Sequence, residues 1–248
     1  MPQRINLPAV SAAEMRQIDE LAESSYHIQL IQMMENAGRS LARCVRDRFL
    51  AGSAAGASLL VLAGPGGNGG GGLVATRRLH GWGAEVCVML ATSPDRLAPV
   101  SGHQLAALEP LAIPRLAATD PWPKVDAILD SLLGYSAVGA PRSPMDRMIT
   151  AANGSGAPIV ALDLPTGLDP NDGTAAEPTI RAAATVTLAL PKTGLMTDAA
   201  APFVGDLWLA DIGLPKELYA DLGLDVPFDL FAKDDLIQLL PHRPTPMD

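Results

Sequence analysis

Between residues 58 and 82 the chain passes from an apolar run through a block of glycines into a helix-compatible segment, and few folds accept that order. Ser58-Leu59-Leu60-Val61-Leu62-Ala63 has strand length and no polar face, the pattern of a strand covered on both sides. It is followed by Gly64-Pro65-Gly66-Gly67-Asn68-Gly69-Gly70-Gly71-Gly72, in which six of the seven residues 66–72 are glycine. Residues 72–82 then read as a helix. Glycine in such a loop admits positive φ and close approach of a ligand, and the free amides of the following helix attract an anion. The plain alternative is a loop that is glycine-rich only to turn tightly.

The rest of the chain repeats the strand and helix alternation. Further apolar runs lie at 85–90, 125–129, 158–162, 185–190 and 206–210, with helical candidates near 101–108 and 142–153. Ahead of the first strand, Ser11 and Glu14 have the spacing of a capping box for a helix over 12–24, and a second helix spans about 28–50. Buried runs alternating with helices predict an α/β fold with a mainly parallel sheet, helices on both faces, and the two N-terminal helices packed on a face or edge of it. Residues 1–240 read as one domain, and the proline-rich 241–248 as a tail or linker.

Composition excludes several classes. The net charge of −9 leaves no basic face for nucleic acid, and no cluster of Lys or Arg is longer than Arg77-Arg78. Residues 49–76 carry no charge, but nine of them are glycine, so no membrane span is predicted. The first ten residues lack an apolar signal core, and two cysteines are too few for a disulfide framework, which together point to the cytoplasm. The four histidines lack the close spacing of a zinc site. Residues 134–139 miss the GxSxG elbow by one position, and no GxxxxGK[ST] is present. Gly64, Gly66 and Gly69 satisfy GxGxxG, but the second strand ends Met89-Leu90-Ala91-Thr92 without the acid that binds ribose, which disfavours an ordinary dehydrogenase.

Two acids stand out because each closes an apolar strand: Asp130 after Asp126-Ala127-Ile128-Leu129, and Asp163 after Ile159-Val160-Ala161-Leu162. Strand ends at the carboxyl edge of an open α/β sheet are where ligands bind, although an acid there also serves as a helix cap. Asn68, Asp130 and Thr166 offer an all-oxygen set with one formal charge, suited to a weakly held hard cation.

The ordered motifs resemble the NAD(P)HX epimerase family, also called the YjeF N-terminal domain. Its glycine loop has the form GPGNNGGDG, matched by residues 64–72; DALLGTG is matched by Asp130-Ser131-Leu132-Leu133-Gly134-Tyr135-Ser136, and DLPSGLD by Asp163-Leu164-Pro165-Thr166-Gly167-Leu168-Asp169. An early MENAG stands at 34–38, and the closing VGD and DIGLP stand at 204–206 and 211–215. The resemblance implies a Rossmann-like three-layer α/β/α sandwich, usually dimeric, that interconverts the R and S hydrates of NADH and NADPH in nicotinamide nucleotide repair. It also implies a separate ADP- or ATP-dependent dehydratase as functional partner, with the tail at 241–248 resembling the linker to such a domain. Potassium is the implied cofactor, with Asn68, Asp130 and Thr166 as side-chain ligands. Substrate contacts map onto Gly67, Asn68, Gly69, Gly70 and Gly71, onto Gly134, Tyr135, Ser136, Ala137, Val138, Gly139 and Ala140, and onto Asp163, which we assign as the acid/base group.

Two positions depart from the family form: Gly67 replaces its first Asn and Gly71 its loop Asp. Lost polar contacts of this kind cost about 1–3 kcal/mol each. A non-catalytic nucleotide-binding or scaffold module of the same fold is therefore the alternative reading. Lys192, in Leu190-Pro191-Lys192, lies in another family-like segment and has two readings, a lysine facing the ligand or, the plainer one, an exposed loop lysine.

Overall fold

The computed structural model describes residues 7–239. The capping box forms as the spacing predicts. The Ser11 hydroxyl accepts from Glu14 N–H, the Glu14 carboxylate accepts from Ser11 N–H, and α1 runs Ala12–Ser24 with Met15, Ile18 and Ala22 buried. Helix α2, Leu30–Phe49, buries Met34, Ala37, Leu41 and Val45 along one face.

An eight-stranded sheet in the order β3-β2-β1-β4-β5-β6-β7-β8 forms the middle layer. Its strands are β1 (Ser58–Ala63), β2 (Glu85–Leu90), β3 (Arg115–Leu116), β4 (Ala127–Ser131), β5 (Ile159–Leu162), β6 (Ala184–Leu188), β7 (Asp206–Ala210) and β8 (Leu236–Gln238). All neighbours are parallel except β7 and β8. Alternate residues of β1 serve different cores: Leu59, Val61 and Ala63 pack with α2 and α3 (Gly67–Gly81), whereas Leu60 and Leu62 pack with Met148, Ile149 and Ala152 of α5 (Met145–Gly154). Apolar residues on both faces of one strand require a covered sheet, so three layers follow from the run at 58–63.

Several boundaries differ from the sequence reading. Helix α3 begins at Gly67, five residues before Gly72, because residues 67–72 of the glycine block are helical rather than a loop. Strand β4 extends through Ser131, so Asp130 lies inside the strand, paired in register with Leu62 and Ala161. Strand β6 stops at Leu188, where a three-residue turn reverses the chain. Helices α4 (Pro99–Ala106), α6 (Ala201–Val204) and α7 (Lys216–Asp221) complete the set. The short β3, β8, α6 and α7 have too little periodicity to be read from sequence. No helix among the described residues is long and apolar enough to cross a membrane. The tail at 241–248 lies outside the described residues.

The strand order fixes where a ligand can sit. From β1 the chain steps to β2 on one side, and from β4 to β5 on the other, so the carboxyl ends of β1 and β4 diverge and open a crevice. The glycine block leaves β1 at that point, and the segment 132–140 leaves β4.

Candidate active site

None of the glycines in 64–72 has positive φ, so conformational freedom is not why they are there. Close approach is the reason. A Cβ on Gly64 would lie 1.7 Å from Leu132 O, one on Gly69 1.9 Å from Gly64 O, and one on Gly72 1.9 Å from Ser131 Oγ. The first turns of α3 are thereby pressed onto the ends of β1 and β4, with helix N–H groups beside the crevice. Gly67 and Gly71 differ from these. A Cβ on Gly67 would meet only Met34 Cε at 4.0 Å, and one on Gly71 would meet the movable Leu162 Cδ2 at 2.7 Å. Of the two positions where this chain lacks a side chain that the family form carries, Gly67 has room for one and Gly71 would need Leu162 to shift.

Over the crevice lies a pocket of about 370 Å³. Its apolar wall includes Met15, Met33, Met34, Leu162 and Ile212, and its polar side is made by Asn68, Tyr135, Asp163, Lys192 and Asp19. Of the substrate residues read from sequence, Gly67, Asn68, Gly71, Gly134, Tyr135, Ser136, Ala137 and Asp163 line it. Gly69 and Gly70 turn inward, against Gly64 and Met34. Gly139 and Ala140 line a second cavity of about 270 Å³ that shares Gly134 and Ala137 with the first, and Val138 is 94% exposed.

Asp163 is 3% exposed and has φ 69, in the left-handed region, with Leu164 N–H bonded to Leu162 O at 2.9 Å. This is a γ-turn centred on a residue with a side chain, a strained arrangement that concentrates at functional sites. Its Oδ2 accepts the Tyr135 N–H at 2.8 Å. Lys192 Nζ stands 2.6 Å from Oδ1, an ion pair by distance but off the hydrogen-bonding line, so Oδ1 keeps a lone pair without an aligned donor. Gly134 covers the carboxylate closely: a Cβ there would lie 3.1 Å from Oδ2 and 3.4 Å from Asn68.

Lys192 corrects the plainer sequence reading. It is 0% exposed, not a surface lysine, and donates to Leu188 O at 2.8 Å, with Thr187 Oγ1 at 3.5 Å. Full burial of a lysine requires such partners. The edge argument that singles out Asp163 applies equally to Lys192, which follows β6 by four residues. Sequence reasoning also missed Asp19, on α1, which accepts from the Tyr135 hydroxyl. Burial raises the Asp19 carboxyl above the usual carboxylate range, and the Tyr135 hydroxyl and then the charge of Lys192 pull it back.

Asp130 does not project at the edge as its sequence position suggests. It is 0% exposed, and its oxygens accept from Thr166 N–H (2.8 Å), Thr166 Oγ1 (2.7 Å) and Leu132 N–H (3.2 Å). Burial pushes its carboxyl up to about 6, against those donors. Asn68 joins the group through Leu133, whose carbonyl accepts from Nδ2 at 3.0 Å while its N–H donates to Thr166 Oγ1 at 3.1 Å. Asn68 Nδ2 also donates to Leu162 O at 3.2 Å. Asn68, Leu133, Thr166 and Asp130 are thus joined in one hydrogen-bonded chain beside the pocket, with Thr166 lining the second cavity.

A doubly wound α/β sheet whose switch point carries a pocket and a strained buried acid has the architecture of a small-ligand protein. The family described as YjeF-related protein N-terminus matches residues 30–194, and the chain belongs to it. It is 40% identical over 216 residues to the NAD(P)H-hydrate epimerase of Dehalogenimonas lykanthroporepellens, covering 87% of this chain and 86% of that one. It is 36% identical to the Bifunctional NAD(P)H-hydrate repair enzyme Nnr of Moorella thermoacetica over 85% of this chain, which spans 41% of that relative's length. Among solved structures, yeast ynu0 (YNL200c) superposes with a TM-score of 0.79 at 26% identity, covering 94% of this chain and all of that one.

Proposed function

We propose that this protein is an NAD(P)H-hydrate epimerase that interconverts the R and S hydrates of NADH and NADPH. Hydration of the reduced ring, an enamine, puts a hydroxyl on the carbon beside the ring nitrogen, and inversion there requires a bond at that carbon to break and re-form with proton transfer to and from its oxygen or nitrogen. The observation that carries the reading is Asp163: a buried carboxylate that lines the pocket on a strained backbone, with Lys192 Nζ 2.6 Å from one of its oxygens. The identity to an epimerase over most of both chains supports it.

Asn68, Asp130 and Thr166 fit a potassium ion as ligands. The support is that Asn68 Nδ2 now bonds two carbonyl oxygens, those of Leu133 and Leu162, and turning the amide would offer its Oδ1 beside them to a cation. When bound, the ion supplies a fixed positive charge behind the pocket. The chain's own groups do the rest: the amides at the start of α3 face the ligand's phosphates, and Gly134 and Tyr135 hold the Asp163 carboxylate in place. The reading extends to a homodimer in the cytoplasm, where the unpaired Cys44 and Cys87 suit a reducing setting, and to a separate dehydratase acting on the S hydrate.

The test supplies both hydrates to an S-specific dehydratase with potassium present. This protein should drive conversion to completion, and Asp163→Asn should slow it by about 10²-fold or more. No acceleration by the unaltered protein refutes the proposal.

A further inference from the structure

We propose that Lys192 is a second catalytic group, the proton donor to the substrate's ring nitrogen, working in concert with Asp163; this rests on the epimerase reading above. Among the described residues Lys192 is the one cationic side chain lining the pocket, and it is fully buried there. Only one of its three N–H groups is committed to a short, aligned acceptor, Leu188 O at 2.8 Å. The Asp163 oxygen at 2.6 Å is not aligned with it, and Thr187 Oγ1 at 3.5 Å is at the limit of contact.

The spacing of this pair matches the substrate. A hydroxyl oxygen and a ring nitrogen on one carbon are about 2.4 Å apart, given single bonds near 1.45 Å. A carboxylate oxygen and an ammonium nitrogen 2.6 Å apart can address both at once. Asp163 Oδ1 takes the hydroxyl proton, and the freed pair forms a carbonyl. The carbon–nitrogen bond breaks with its electrons passing to nitrogen, which takes a proton from Lys192. The ring is then open, as an aldehyde and an N–H enamine. Rotation about the bond next to the aldehyde presents the other face. Attack by nitrogen returns its proton to the Lys192 amine, and the oxygen recovers its proton from Asp163. Nothing is oxidised or reduced, and no water is consumed. The competing route, loss of hydroxide and re-addition, needs a water to reach the opposite face of the ring and exchanges the hydroxyl oxygen with solvent.

Two variants and one isotope measurement test the role. Lys192→Met removes the proton, whereas Lys192→Arg keeps a charge and donors for Leu188 O but does not release a proton, its pKa lying above about 12. Both should fold, hold KM within several-fold and lose kcat by about 10²-fold or more. In water enriched in oxygen-18, the unaltered enzyme should invert the substrate far faster than it takes up label. Kcat for Lys192→Arg within about threefold of the unaltered enzyme, below the range of acid catalysis, overturns the proposal. Label uptake keeping pace with inversion also overturns it, and that result needs no variant to fold. An unaltered protein without epimerase activity would instead overturn the functional reading itself, and this inference with it.

Discussion

Two alanine substitutions two residues apart in one helical turn should differ sharply in their effect on stability. Gly67 and Gly69 both sit in the first turn of α3 with negative φ, so propensity alone favours alanine at each by about 0.5–1 kcal/mol. Packing separates them. The new Cβ at 67 meets only Met34 Cε at 4.0 Å, whereas the one at 69 falls 1.9 Å from Gly64 O, 2.7 Å from Gly64 C and 2.8 Å from Gly64 N. Those are backbone atoms at the end of β1, which cannot swing aside as a side chain can. Relieving the overlap lifts the helix start off the sheet, an overpacking cost of about 1–3 kcal/mol or more. We expect Gly69→Ala to destabilise by about 1–2 kcal/mol net and Gly67→Ala to be neutral or stabilising. Urea unfolding followed by the fluorescence of the three tryptophans measures both, and heating should lower the midpoint of Gly69→Ala by about 2–4 °C per kcal/mol. Equal effects at the two positions would refute the account of the glycine block as a packing surface.

Tyr135→Phe removes the donor to Asp19, leaving a half-buried carboxylate with less to hold its charge, at about 1–3 kcal/mol under neutral conditions. Because the folded Asp19 pKa lies above its unfolded value, the stability this carboxyl contributes is present in acid and lost as pH rises through the folded pKa. The gap between variant and parent in urea should therefore narrow on mild acidification; a gap that widens refutes the assignment. Burial pushes the Cys44 thiol up to about 12 and also raises Cys87. Neither should react with an aromatic disulfide at mildly alkaline pH in the native protein, and both should after denaturation. Fast labelling of native Cys44 would contradict its burial.

The long, strongly patterned elements were legible in sequence because burial on two faces leaves few alternatives to an apolar run. Helix α1, strand β1 and strand β7 fall at the residues expected. The glycine block was located but misread. Its composition predicts a loop admitting positive φ, whereas residues 67–72 are helical and the block is small because Leu132, Gly64 and Ser131 press on it. The crowding by Ser131 and Leu132 comes from strand β4 and the residue after it, more than fifty residues downstream, so no local rule detects it. Asp130 shows the same limit: closing an apolar run placed it at the sheet's edge, while Thr166, contributed by the turn after β5, encloses it.

The pairing of Asp163 with Lys192 was invisible for a related reason. Strands β5 and β6 are parallel neighbours, and each ends in a three-residue turn around a left-handed residue: Asp163 with φ 69, and Ala189 with φ 62, where Leu190 N–H bonds Leu188 O at 2.7 Å. The second turn folds the chain back so that Lys192 bonds the carbonyl of Leu188 and its ammonium meets the acid of the adjoining strand. Sequence rules assign positive φ to glycine, and neither position is glycine; each costs about 1–3 kcal/mol that the surrounding packing must offset. A relaxed glycine at 163 would lose the carboxylate altogether, so this strain cannot be relieved without removing the group it positions. Local rules fail where function needs a residue that the backbone disfavours, and at this sheet edge that failure marks the acid on which the proposed chemistry depends.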